Sequence, residues 1–267
     1  MNDHTGVASL GARHLTERDF SRSRTSYDLD DLEDALQPLV TAGPVHRLLD
    51  VGCGFGGLSA LVGEAVGAKE VHGLDIDDRV VDEARSKGVR VELADAGGAP
   101  LPYPDGHFDV VMTLGMMDYL VHFDAMVREV NRVLPPGGRV LVSLPNLASW
   151  HNRLSLLLGY QPRDVEISNE VLAGVIGRYK GEPAGHIHVP TVRAFTELME
   201  HHGFRTLRLT GGRPRMNRTN RVLRLADAAL TRWPTLARRF YYLGVKERVV
   251  AAPERPVLEP YQSLSGG

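Results

Sequence analysis

Arg47-Leu48-Leu49-Asp50-Val51-Gly52-Cys53-Gly54-Phe55-Gly56-Gly57 is the stretch whose reading decides the fold. Leu48, Leu49 and Val51 form a short apolar run suited to a strand covered on both faces. Gly52, Gly54, Gly56 and Gly57 read as a turn, and Leu58, Leu61, Val62 and Ala65 follow at helical spacing. Strand, glycine turn and helix together make a nucleotide-binding element: glycines admit a ligand to the backbone, and a helix N-terminus presents N–H groups. Gly52, Gly54 and Gly57 match G-x-G-x-x-G, a spacing that dinucleotide enzymes share.

Asp50 separates two readings of that turn. A pyrophosphate lying against it would be repelled by a carboxylate two residues before the first glycine. A ligand carrying an ammonium and a sulfonium would be attracted. The run Asp50–Gly56, DVGCGFG, resembles the first motif of class I S-adenosylmethionine (SAM)-dependent methyltransferases. The resemblance implies an α/β three-layer sandwich, with a Rossmann-like, mostly parallel seven-stranded sheet and an antiparallel last strand. It also implies methyl transfer from SAM.

The chain downstream carries the same pattern. Glu70–Asp75 reads as a second strand ending in an acid, 25 residues after Asp50, where a carboxylate accepts hydrogen bonds from ribose hydroxyls. Asp77 and Asp78 supply acids for the start of the next helix. Val89, Val91 and Leu93 alternate with Arg90 and Glu92 as a third strand running into Asp95. The resemblance places Asp95 against the adenine amino group and the Ala96 backbone N–H against the ring. It adds Gly52, Cys53, Gly54, Ile76 and Leu114 to the cofactor set. Phe108–Leu114 is a fourth strand, Phe123 to Leu134 a helix ended by Pro135-Pro136-Gly137-Gly138, and Val140–Leu144 a fifth strand. The resemblance covers about Leu48 to Asn146. It departs after the fourth strand, where many relatives have a Glu-His or His-His pair and this chain has Asp118-Tyr119. An N-terminal helix from Tyr27 to Val40 would cap the cofactor in this superfamily. There Tyr27 either touches the methionine carboxylate or packs as an ordinary aromatic.

Beyond Asn146 the resemblance thins. The expected organisation is a mobile segment at 1–26, one SAM-binding domain over 27–250 and a disordered tail at 251–267. An acceptor-binding insert would occupy about 147–190, Gly-rich and without periodicity from Tyr160 to His188. The last part reads as an antiparallel hairpin with a helix between its strands. At 267 residues, a net charge of -2 and 24% charged residues, the chain has the composition of an ordinary soluble protein. No apolar run reaches the ~18 residues of a membrane span, and MNDHTGVASLGARH lacks an apolar signal-peptide core. Cys53 is the only cysteine, so a reducing cytoplasm is the expected compartment, and its place among the glycines suits a small side chain.

Methyl transfer from a sulfonium is an in-line displacement whose main demand is positioning. An oxygen or nitrogen nucleophile can also require a base, most often histidine. His122, His151, His186 and His188 are candidates, with Asp118 and Tyr119 on the loop after strand four. His151 and His186 stand first because they lie in the insert, and Tyr119 joins them. His186-x-His188 lacks a third ligand at useful spacing, so no metal is expected. From Arg205 to Arg248 there are eleven arginines and Lys246 against Asp227 and Glu247, while the rest of the chain is acid-rich. That asymmetry suggests an anionic partner: a phosphorylated or carrier-bound small-molecule acceptor, or an anionic membrane surface. No aromatic-plus-basic platform points to nucleic acid. A second class of function stays open, in which SAM is bound for an intramolecular alkyl transfer or cyclisation, or for regulation. Acceptor identity and oligomeric state are left open.

Overall fold

Three strand–helix units wind the first half of the chain into a parallel sheet, because each apolar strand is returned by an amphipathic helix. The computed structural model describes residues 29–177, 182–212 and 221–250. Strands β1 (Arg47–Val51), β2 (Glu70–Asp75), β3 (Arg90–Leu93), β4 (Val110–Leu114) and β5 (Arg139–Pro145) run parallel, while β6 (Phe204–Gly212) and β7 (Arg239–Lys246) complete the sheet. The order is β3-β2-β1-β4-β5-β7-β6, with β7 antiparallel to both of its neighbours. This is the seven-stranded α/β sandwich expected from the sequence.

The helices are α1 (Leu29–Val40), α2 (Gly57–Ala65), α3 (Asp78–Ser86), α4 (Phe123–Val133), α5 (Trp150–Leu157), α6 (Val192–His201) and α7 (Arg221–Leu230). They cover both faces of the sheet, so adjacent strand residues enter different cores. Leu48 packs with Leu36, Leu61 and Val62 on one face, and Leu49 with Met126, Val130 and Phe195 on the other. Such two-sided burial is why the central strands read as continuous apolar runs. Asp77 caps α3, its side chain accepting the Arg79 N–H at 3.2 Å, as the acids before that helix suggest.

Several expectations shift in detail. β3 begins at Arg90 and leaves Leu93 exposed, because it is the edge strand. β6 extends to Gly212, since β7 pairs with it along that length. His202, at the C-terminal end of α6, is buried with Nε2 2.8 Å from Asp124. Tyr27, the segment 1–26 and the tail 251–267 lie outside the described residues.

The end of β7 is tied to the α4 layer by a buried lysine. Lys246 Nζ donates to the carbonyls of Asn131 and Leu134, each at 2.6 Å, where α4 ends. Burial holds that ammonium below its ordinary pKa. Among the described residues no helix is long and apolar enough to cross a membrane.

Candidate active site

The strand order reverses between β1 and β4, and ligands in open α/β sheets bind outside the strand C-termini at such a switch point. The glycine turn after β1 lies there. Gly52 has φ +81, and a Cβ at that position would fall 2.6 Å from Met116 Cγ. The turn is therefore pressed against the loop after β4, and only glycine leaves the backbone in place. The Gly52 and Cys53 N–H groups both donate to the Leu74 carbonyl, which binds the turn to β2. Cys53 is buried against Gly73, where any Cβ would come within 2.7 Å of its sulfur. Burial pushes its thiol up, so it is a packing residue here and not a nucleophile.

Two acids flank the turn in different environments. Asp75 ends β2, and its two oxygens accept the Gly54 N–H at 2.8 Å and the Asp77 N–H at 3.0 Å. Those bonds fix the carboxylate's orientation and leave acceptor lone pairs on each oxygen. Asp50 is buried in β1, accepting Ser59 Oγ–H at 2.6 Å. Its pKa is pushed up to about 7, chiefly by burial, with Asp75 adding repulsion and the Ser59 bond opposing. Ser59 is a partner the sequence reading missed. Ile76 follows Asp75 and is exposed, Leu114 is half-buried at the end of β4, and Asp95 is exposed after β3. Asp95 Oδ1 accepts the Gly97 N–H at 2.8 Å, a turn that presents Ala96 beside it. The three acids thus stand at or beyond the C-terminal ends of three adjacent strands.

Next to this turn the structure assembles a second group. Met117–Tyr119 form a 3-10 turn after β4, directly following Met116. The insert folds back onto it: the Asp118 carbonyl accepts the N–H groups of Ile187 and His188, at 2.7 and 3.0 Å. That places His186 Nε2 3.3 Å from Asp118 Oδ2 and Nδ1 3.4 Å from Glu166 Oε2. The Tyr119 ring stacks on His186, with centroids 5.3 Å apart. Glu166 organises the returning strand of chain, accepting the N–H groups of Ala184, Gly185 and His186 at 2.9–3.1 Å.

Asp118 is fully buried, and no conventional hydrogen bond reaches its carboxylate among the described residues. Burial raises its pKa, against the Arg239 guanidinium and His186, which lower it. A buried carboxylate facing a histidine and an arginine without a conventional hydrogen bond is the kind of group that functional sites retain. His186 and Tyr119, candidates from the sequence, are thus brought together. His151 is not part of this group. It sits on α5 with Nε2 3.0 Å from Asp227 of α7, its ring 3.7 Å from that of Trp150, whose Nε1 donates to the same carboxylate. Glu166, Arg239 and Asp227 were missed. Only three-dimensional folding of an irregular segment brings them into range.

A cavity of about 630 Å³ opens on the outer side of α4, between the Ala96–Pro100 loop and the residues after β7. Of its charged lining residues, Arg132 holds Glu129 and Asp105, and Lys246 holds two carbonyls. Among the described residues no group of three or more His, Cys, Asp or Glu could hold a metal ion.

Comparison with known families bears on this arrangement. Residues 22–209 match the model of the methyltransferase domain. The chain belongs to the methyltransferase-domain family, within the class I SAM-dependent superfamily. Its cofactor is therefore SAM. Among curated relatives, the ubiquinone/menaquinone biosynthesis C-methyltransferase of Shewanella is 37% identical over 108 residues, 38% of this chain and 43% of that one. The matches span about two fifths of the length of the first curated relatives. The N-methyltransferase NodS from Bradyrhizobium japonicum, solved with S-adenosylhomocysteine, superposes with TM-score 0.55 at 11% identity, covering 90% of this chain and 97% of NodS. The [4+2]-cyclase SpnF superposes with TM-score 0.52 at 21% identity, covering 82% of each chain. At these identities the superpositions establish a shared fold.

The methyltransferase-domain turn in this chain fits that cofactor on its own geometry. A glycine cradle closed by Met116, an oriented carboxylate with lone pairs to spare at Asp75, and a second carboxylate at Asp50 suit a ribose and a cation.

Proposed function

We propose that this protein methylates an oxygen, nitrogen or carbon nucleophile of a small molecule. The observation that carries the reading is the buried Asp118–His186 pair, set two residues from the side chain that closes the glycine turn. SAM, when bound, supplies an electrophilic methyl on a sulfonium, whose sulfur leaves as a neutral thioether. Gly52, Cys53 and Gly54 would hold it against the backbone. Asp75 would accept its ribose hydroxyls and Asp50 would favour its cationic end. Asp95, with the Ala96 N–H, would read the adenine, while Ile76 and Leu114 would flank the ring.

The remaining residues handle the acceptor. For an oxygen or nitrogen nucleophile the proton has to leave as the new bond forms. Asp118 is the acceptor of that proton: it is buried, its basicity is raised, and one oxygen is uncommitted. His186, held between Asp118 and Glu166, keeps the carboxylate in place, and Tyr119 walls the ring. Glu166 and residues 184–188 of the insert fold over the pair and would exclude water from it. The single domain of 27–250 is the unit that would do this.

SpnF favours keeping a second reading, since the fold also serves a cyclase. One experiment separates the two. The protein is incubated with SAM and a metabolite extract, and products are resolved by mass. S-adenosylhomocysteine together with an acceptor heavier by one methylene supports methyl transfer. Methylthioadenosine would indicate intramolecular alkyl transfer, and unchanged SAM a binding role.

A further inference from the structure

Helix α5 is inverted. Its buried side chains are Asn152 and Ser155, capped by Ser149, whereas Leu154, Leu156, Leu157 and the following Leu158 face outward. Leu157 is 82% exposed and Leu156 57%. Asn152 lies inside because it binds the chain just after β5: its Nδ2 donates to the Asn146 carbonyl at 3.1 Å. Four solvated leucines on one short helix are disfavoured by hydration, and an exposed apolar group of this kind marks an interaction surface.

α7 extends the same face. Asp227 binds it to α5 by accepting from Trp150 and pairing with His151. Leu225, Ala228 and Ala229 are exposed on its outer side, followed by exposed Arg232 and Trp233. Arg153 is exposed on α5, and Tyr160 just after it. The one carboxylate on either helix is Asp227, which is turned inward and buried. The composite face is therefore leucine-rich and rimmed by tryptophan and tyrosine. Its exposed charges among the described residues, Arg153 and Arg232, are both positive.

We propose that the paired outer faces of α5 and α7 dock on an anionic lipid bilayer. Leucines enter the acyl boundary, Trp233 and Tyr160 lie at headgroup level, and Arg153 and Arg232 meet phosphates. Charge decides against a second copy as occupant. A two-fold dimer through this face would set its arginines against their own images with no carboxylate to pair them. α5 lies at the start of the insert, so docking lays the cover of the proposed acceptor pocket beside the membrane. That last clause rests on the function proposed above; the docking itself does not.

The test is flotation of the full chain with vesicles of phosphatidylcholine containing phosphatidylglycerol, and with phosphatidylcholine alone. The expected result is flotation with the anionic vesicles, weakened as salt shortens the Debye length from ~10 Å at 0.1 M to ~3 Å at 1 M. The double change Leu156→Ser with Leu157→Ser should lower partitioning by about tenfold or more, as expected from two lost apolar contacts. Its Tm and its SAM affinity by calorimetry should match the wild type, since both side chains point outward. Arg232→Gln should weaken only the anionic preference. No flotation with either vesicle, or flotation indifferent to the leucine pair, would overturn the proposal. So would a wild-type dimer in sedimentation equilibrium that the leucine pair dissolves. Because no methyl transfer is read out, failure here leaves the catalytic reading untouched.

Discussion

His186 Nε2 lies 3.3 Å from Asp118 Oδ2, and both side chains are shut away from solvent. Removing the charge while keeping the shape isolates what that contact does. Asp118→Asn should lower kcat/KM on an oxygen or nitrogen acceptor by about 10²–10⁴-fold, the usual scale of a lost base. SAM affinity should stay near wild type. Burial raises the Asp118 pKa, and the working form is the carboxylate. Wild-type activity should therefore fall on acidification at a pH above the ordinary carboxylate range, and Asp118→Asn should lose that acidic limb.

Asp75 accepts two backbone N–H groups and has lone pairs left for a ligand. Asp75→Ala should weaken SAM binding by about 1.5–3 kcal/mol, roughly 10–150-fold. Isothermal calorimetry measures this directly. Unchanged affinity in a folded variant would move the ribose elsewhere.

Gly52 combines a left-handed backbone with a Cβ position 2.6 Å from Met116 Cγ. Gly52→Ala should cost ~2–4 kcal/mol, from about 1–2 for the conformation and the rest from displaced contacts. At roughly 2–4 °C per kcal/mol for a chain of this size, Tm falls visibly. Adding Met116→Ala should restore part of the loss, which a conformational penalty alone would not permit.

Asp50 gives a pH signature of opposite sense to an ordinary salt-bridged acid. Its folded pKa is about 7 against a normal 3.8, so the folded state binds the proton more tightly than the unfolded state. The stability this contributes is fully present below ~3.8 and disappears as pH rises through ~7. Integrated over that window it is on the order of 4 kcal/mol at most. Wild-type Tm should decline relative to Asp50→Asn between pH 4 and 7 and run parallel to it above. Parallel curves throughout would remove Asp50 as the source.

His151 stands between α5 and α7, not beside Asp118. His151→Ala takes one partner from the buried Asp227 carboxylate and should destabilise by about 1–3 kcal/mol. Differential scanning fluorimetry should therefore register the change more strongly than turnover does. A turnover loss of 10²-fold at unchanged Tm would return His151 to the acceptor pocket.

The cofactor half of the site was legible from sequence because its chemistry is local in each strand–turn unit. Glycines at fixed offsets and an acid ending β2 declare themselves within a few residues. The acceptor half was only partly legible. Asp118, Glu166 and His186 are far apart along the chain, and an aperiodic insert offers no register from which to infer that 184–188 returns to both acids. In α5 apolar periodicity would turn the leucines inward, but Asn152 and Ser155 occupy the inner side, Asn152 bonding to the Asn146 carbonyl just after β5. Asp50 was legible as a carboxylate beside the turn, but its burial and its bond to Ser59 of α2 follow no spacing rule.

The position of β7 between β5 and β6 constrains how the protein can be made. The strand occupying the gap is the last to leave the ribosome, and the Lys246 that ties the α4 layer emerges at its very end. Until then β5 presents a bare edge and β6 has no neighbour, a state prone to pairing with other chains. The sheet is completed after synthesis of Arg239–Lys246, by insertion of a strand between two that are already waiting.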